Sequence, residues 1–182
     1  MDTIKKLVFY GLTAASAALF VASFLMPWWT ADLTVQGFSV QRDAIQIFGY
    51  GLSHNMGQLT VYILDQETPY YQTVLAYVYL GVSIGMVLLG SIARNKKSRW
   101  LLVITGLVYI VYLGAAAFIL SGNLGEYDIS LTGWSTYRAP ARSVTFFTQF
   151  LPGYFLGLAG GAGLVISGLL GRYLKKANNY IA

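Results

Sequence analysis

Four stretches of the 182-residue chain, 7–29, 71–93, 100–120 and 150–171, are nearly unbroken apolar runs, and none holds an Asp, Glu, Lys, Arg or His. About 20 such residues in a helix cross the hydrocarbon layer of a bilayer. The pattern therefore predicts an all-α transmembrane four-helix bundle. The first run has the outline of a signal peptide, with Lys5 and Lys6 ahead of it and Ala15-Ser16-Ala17 as a small-residue site. Its apolar stretch continues well past that point, so it is read as a retained helix.

The segments between the runs have a different texture. Apolar and polar residues alternate around Gln36-Gly37 and Thr132-Gly133. An X-Gly dipeptide suits a two-residue hairpin turn, because glycine accepts positive φ. Strands are predicted at 31–35, 38–42, 127–131 and 134–138, with a further strand at 44–48. Residues 59–64 fit a strand or a short helix. Together the two loops are expected to form a small extracytoplasmic antiparallel β-sheet, whose pairing protects edges that would otherwise lie open.

The same loops carry an internal repeat. Asp32-Leu33-Thr34-Val35-Gln36-Gly37-Phe38-Ser39 parallels Asp128-Ile129-Ser130-Leu131-Thr132-Gly133-Trp134-Ser135, and the helical runs that follow match around Gly85–Arg94 and Gly163–Arg172. The chain is read as one membrane domain, 1–182, made of two duplicated helical hairpins, 1–97 and 98–182.

Charge fixes the orientation. Lys5, Lys6, Arg94, Lys96, Lys97, Arg99, Arg172, Lys175 and Lys176 fall on one side of the runs with Asp2. Arg42, Arg138 and Arg142 fall on the other with Asp32, Asp43, Asp65, Glu67, Glu126 and Asp128. The basic side is cytoplasmic by the positive-inside rule. Both termini are thus expected inside a cell membrane crossed four times, with the basic clusters touching anionic lipid heads. This accounts for the net charge of +5 without a nucleic acid. Trp28, Trp29, Tyr70, Tyr71, Phe146 and Phe147 are expected at the outer interface, and Phe9, Tyr10, Trp100 and Tyr173 at the inner one.

Composition narrows the chemistry. Only 10% of residues are charged and 56% are hydrophobic, against about 25% charged in soluble domains. There is no cysteine and one histidine, His54. Disulfides, iron–sulfur clusters, haem and multi-His metal sites are excluded on that ground. His54 with Asp65 and Glu67 offers possible ligands, but no spacing fixes a geometry, so no metal or cofactor is expected. Ser53 beside His54 lacks the strained turn that presents a nucleophile. Intramembrane enzymes and proton-coupled carriers place ionisable groups at bilayer depth, and these runs have none, so no catalytic residue is assigned.

Small residues mark the helix contacts. Gly153, Gly157 and Gly161 recur at four-residue spacing, as do Ala14, Ala18 and Ala22, and Gly81 with Gly85. Such stripes let backbones approach closely in lipid, within the bundle or between copies. On the outer loops Phe38, Trp134, Arg138 and Arg142 are the candidate partner contacts.

The arrangement resembles the claudin and peripheral-myelin-protein family of tetraspan proteins. Trp28-Trp29 correspond to the tryptophan just outside the first span, and Gly51-Leu52 to the next element of the first-loop signature. Ser53 stands where that signature has Trp, and its two cysteines are absent. The resemblance implies four spans, cytoplasmic termini, strand-rich outer loops and lateral assembly through them.

The expected function is non-enzymatic: a structural, scaffolding or accessory subunit that contacts membrane lipids and assembles as a homo-oligomer or within a larger membrane complex. Two alternatives remain open at this point. One is a small channel or facilitator for neutral solutes, lined by Tyr, Ser and Thr. The other is an accessory subunit of a membrane enzyme complex.

Overall fold

In a computed structural model, residues 2–35, 41–54, 70–92, 97–139 and 142–178 are described. The elements run α1 (Asp2–Leu25), β1 (Trp29–Val35), β2 (Gln41–Phe48), β3 (Gly51–His54), α2 (Tyr70–Ile92), α3 (Arg99–Gly125), β4 (Gly133–Ala139), β5 (Arg142–Phe150) and α4 (Pro152–Asn178). All four helices are long and apolar enough to cross a membrane. Pro152 opens α4, where its missing N–H costs no helical bond.

The strands form one antiparallel sheet in the order β3-β2-β1-β5-β4. Its central strand, β1, pairs with β5 and so joins the two loops, from Trp29 opposite Phe150 to Val35 opposite Val144. Both strands are direct continuations of helices, β1 of α1 and β5 into α4. Trp28 N donates to Ile47 O at 2.6 Å, and Leu151 N donates to Trp28 O at 2.8 Å, so the ladder runs on into the helix ends. One face of the sheet is apolar. Trp29, Ala31, Leu33, Ile45, Val144 and Phe146 pack there with Leu124 from the last turn of α3 and with Ile129. The strand period of two puts Asp32, Phe147, Trp134 and Thr136 on the opposite, open face.

Several strand expectations are corrected. Residues 31–35 lie in β1, 134–138 in β4 and 44–48 in β2, but 127–131 form no strand. They close α3 instead. Ile129 N donates to Leu124 O at 3.0 Å and Asp128 N to Gly125 O at 3.2 Å, with Asp128 at φ 55°. This is a Schellman cap, with an Asp in the left-handed position and Leu124 against Ile129 as its apolar contact. Thr132-Gly133 is no hairpin turn. Gly133, at φ 101°, brings the chain into β4, and the β4–β5 connection lies at 140–141. Gln36-Gly37, most of 38–42 (including Phe38) and 59–64 lie outside the described residues. β3 and β5 were not anticipated. Residues 142–150 read R-S-V-T-F-F-T-Q-F, a β-branched and aromatic alternation hidden beside the fourth apolar run. In place of the expected 127–131/134–138 ribbon, β4 pairs with β5, and the sheet joins the ribbons β1–β2 and β4–β5 through β1 and β5.

The helices form a slab of three with a fourth alongside. α4 packs along both α1 and α3, while α2 leans on α3 and touches α1 lightly. A Cβ at Gly153 would lie 2.5 Å from Pro27 O, and one at Gly160 2.7 Å from Phe20 N, so α1 rests on α4 backbone to backbone. On the other flank a Cβ at Gly161 would lie 2.8 Å from the Ile110 side chain, and one at Gly168 2.6 Å from Val103. Gly106 of α3 meets the Gly161 carbonyl so closely that no side chain fits between them.

Within the chain, the α1 seam runs apart from the alanine stripe. Ala14 and Ala18 are exposed and Ala22 half-buried. The buried stripe is Phe9, Thr13, Ser16, Phe20 and Ser23. Thr13 and Ser16 donate to the carbonyls of Phe9 and Leu12, each at 2.7 Å. With the hydroxyl returned to its own helix, each presents a small, satisfied surface to α4.

Candidate functional site

Two regions of the described structure bring together polar or aromatic groups that helix formation alone does not require. The first is the junction where the bundle meets the sheet. Ser23, fully buried near the end of α1, donates to Gly153 O at 2.6 Å. Its one proton being used there, the 3.0 Å contact with the Tyr109 hydroxyl has Tyr109 as donor. Trp28 Nε1 donates to Ser23 O at 2.7 Å, and Tyr112 reaches past the bundle to donate to Gly49 O at 2.9 Å in the β2–β3 turn. That turn sits hard on α1, since a Cβ at Gly49 would lie 2.8 Å from the Phe24 ring. Ring contacts knit the remainder: Phe20 edge-on to Tyr109 at 4.3 Å, Trp28 to Tyr112 at 5.6 Å, Tyr79 to Tyr112 at 5.6 Å, and Tyr50 stacked on Tyr77 at 5.6 Å. The Tyr50 phenol, in the turn, is pushed above its usual pKa by burial and then by Tyr77. The Tyr79 hydroxyl is buried without a hydrogen-bond partner among the described residues.

The tryptophans expected at the lipid interface belong to this junction. Trp28 is 3% and Trp29 2% exposed. The Trp29 indole N–H donates to Leu131 O at 2.8 Å, beneath the sheet. Phe146 is buried in the sheet core as well. At the other end of the bundle Phe9 is also buried, 4.1 Å beneath the Arg99 guanidinium. Tyr10, Tyr71 and Trp100 are exposed, as an interfacial position requires.

Arg99 has a structural part that its charge alone did not disclose. Its Nη1 donates to Gly90 O at 2.7 Å and Ser91 O at 3.0 Å, satisfying the last carbonyls of α2 from the first residue of α3. With Phe9 of α1 under it and Gly171 of α4 beside it, this side chain ties together the basic ends of all four helices.

The second region is the open face at β4. Trp134 is 70% exposed, its ring 4.8 Å from Phe147 on β5. Thr136 and Arg138, two and four positions on, are exposed on the same face. Asp32 stands across Phe147 on β1, and its Oδ1 accepts from the Asp43 N–H at 2.7 Å. Asp43, at φ 49°, sits where the β1–β2 register shifts. Arg142 begins β5 opposite Ala139.

Of the candidate packing residues, Gly153, Gly157 and Gly161 lie in the α4 seams, whereas Gly81 and Gly85 on α2 have nothing within 4 Å of a Cβ position. Sequence spacing missed Gly106, Gly160, Gly163 and Gly168, which are as closely approached. Asp65 and Glu67 lie outside the described residues. No group of three or more His, Cys, Asp or Glu side chains able to hold a metal occurs among the described residues. What the junction offers chemically is hydroxyl-to-carbonyl bonding and ring packing. It contains no carboxylate or imidazole among the named groups. Comparison of the sequence with protein families and with curated proteins finds no match to either.

Proposed function

We propose that the chain is a non-enzymatic, multi-pass membrane protein, a structural, scaffolding or accessory subunit that assembles through its sheet. Both termini lie on the basic, cytoplasmic side, and the sheet stands outside. The observation that carries this reading is the contrast between a bundle closed by glycine–backbone contacts and an open sheet face bearing exposed Trp134, Thr136 and Arg138. A large aromatic left in water on the same strand face as an arginine is the composition of an interface centre. The layout shared with claudin-like tetraspan proteins supports the same reading.

Gentle extraction from native membranes followed by mass measurement tests it. The expected species is heavier than one chain with its detergent, and Trp134→Ala with Arg138→Ala reduces it toward one chain. A wild-type protein that is monomeric at every concentration used overturns the proposal.

A further inference from the structure

The last strand of the sheet has no neighbour on one side. β4 pairs with β5 only, and no other described strand reaches it. An open edge of seven residues carries unpaired N–H and C=O groups, a ready template for another strand. We propose that the occupant is β4 of a second copy, paired antiparallel about Thr136. The proposal rests on the assembly reading above and names its partner.

The register follows from the strand itself. A two-fold axis through an antiparallel pair keeps each face continuous, so a residue on the open face must stand opposite another of that face. Every residue of β4 taken as the centre meets this condition, so the centres differ in how much of the strand they pair and in what they set opposite: Ser135 leaves Arg138 and Ala139 unpaired, and Tyr137 leaves Gly133 and Trp134 unpaired. Centring on Arg138 sets two like charges directly opposite each other, which is destabilising. Centring on Trp134 leaves only Gly133, Trp134 and Ser135 able to pair within the strand. Centring on Thr136 engages every residue, from Gly133 opposite Ala139 onward. It also places Trp134 of each copy opposite Arg138 of the other. A guanidinium against an indole face is attractive, and the two-fold makes the contact twice. The contact is isologous, so it closes as a dimer. Trp134, Thr136 and Arg138 are all exposed in the single chain, so nothing within the described residues must move aside.

Because the chain has no cysteine, single introduced cysteines read the register directly in the full chain, purified in mild detergent. Residues directly opposite have Cβ atoms about 5 Å apart, within reach of a disulfide under mild oxidation. Thr136→Cys is expected to cross-link to itself. Trp134→Cys alone is not, since its copies stand about 14 Å apart along the strands. A mixture of Trp134→Cys with Arg138→Cys is expected to cross-link. Arg138→Glu in the otherwise wild-type chain weakens the dimer about tenfold. An unchanged melting temperature shows that each variant is folded. Absence of the Thr136→Cys disulfide, or equal cross-linking at all three sites, overturns the pairing. So does a purified chain that stays monomeric because its edge serves another protein. In that last case a heavier complex in native extracts leaves the assembly reading standing while the homophilic edge falls.

Discussion

Helices α4 and α2 both carry glycines four residues apart, and the structure treats them in opposite ways. In α4 the glycines at 153, 157, 160, 161, 163 and 168 face α1, the Met26-Pro27 link or α3, each with an atom closer than 3.0 Å to a Cβ position. In α2, Gly81 and Gly85 face open space, and Val78, Val82, Leu88 and Leu89 around them are exposed. Spacing alone does not distinguish the two. What distinguishes them is the partner. α4 lies between two helices and needs thin surfaces on both flanks, whereas α2 leans mainly on α3, touches α1 lightly and leaves its other faces exposed. In lipid, helices associate through packing rather than water exclusion, so the α1–α4–α3 slab is where the fold's stability concentrates.

Substitutions sharpen that comparison, the strongest first. Gly106→Val drives a branched side chain into the Gly161 backbone and is expected to lower stability by about 3 kcal/mol, the upper range for overpacking. Thermal unfolding in mild detergent checks it, and a melting point close to wild type would break the account of the seam. Ser23→Ala removes the acceptor of the buried Tyr109 hydroxyl and the donor to Gly153 O together. Leaving such groups unpaired costs about 2 kcal/mol, and the paired variant Ser23→Ala with Tyr109→Phe should recover part of that loss. Arg99→Met keeps the aliphatic stem but frees the α2 carbonyls and the Phe9 ring, for about 1 kcal/mol, read as earlier proteolysis or faster hydrogen exchange at the end of α2. Gly81→Ala and Gly85→Ala are expected within about 0.5 kcal/mol of wild type. A large loss at either would mean that α2 is packed in the working protein after all.

The parts legible in the sequence were those written in run length. Four apolar runs gave four helices, and the alternation after Gly133 gave β4. The start of the fourth helix reads to within two residues, at 150 against Pro152, but the strand ahead of it does not, because Val144, Phe146 and Phe150 share the apolar texture of the run that follows. Of β5, which pairs with both β1 and β4, only Phe150 falls in the fourth run, and 142–149 carry no predicted element. The segment 127–131 misled for another reason. Its β-branched and apolar residues fit a strand, but Asp128 and Ile129 are taken by the cap of α3. On α1 the alanines drew notice for their size, yet Thr13, Ser16 and Ser23 form the buried stripe. A hydroxyl bonded to a backbone carbonyl packs like a small apolar group, and residue type alone does not tell that from a polar surface.

The candidate contact residues divide similarly. Trp134 and Arg138 could be placed on one strand face by counting alone, and they share that face in the structure. Arg142 falls on the neighbouring strand, and Phe38 lies outside the described residues. The hydroxyl and ring cluster at the junction had no sequence signature. Its members come from α1, α2, α3, the β2–β3 turn and the start of α4, and only the fold brings Ser23, Tyr109 and Gly153 together.

If the bundle is closed and the work is done at the sheet, the chain passes no solute. Stopped-flow glycerol permeability of vesicles containing the purified protein measures this most directly. The expected rate is that of protein-free vesicles at every protein density. A rate that rises with protein density and falls in Tyr112→Phe would contradict it.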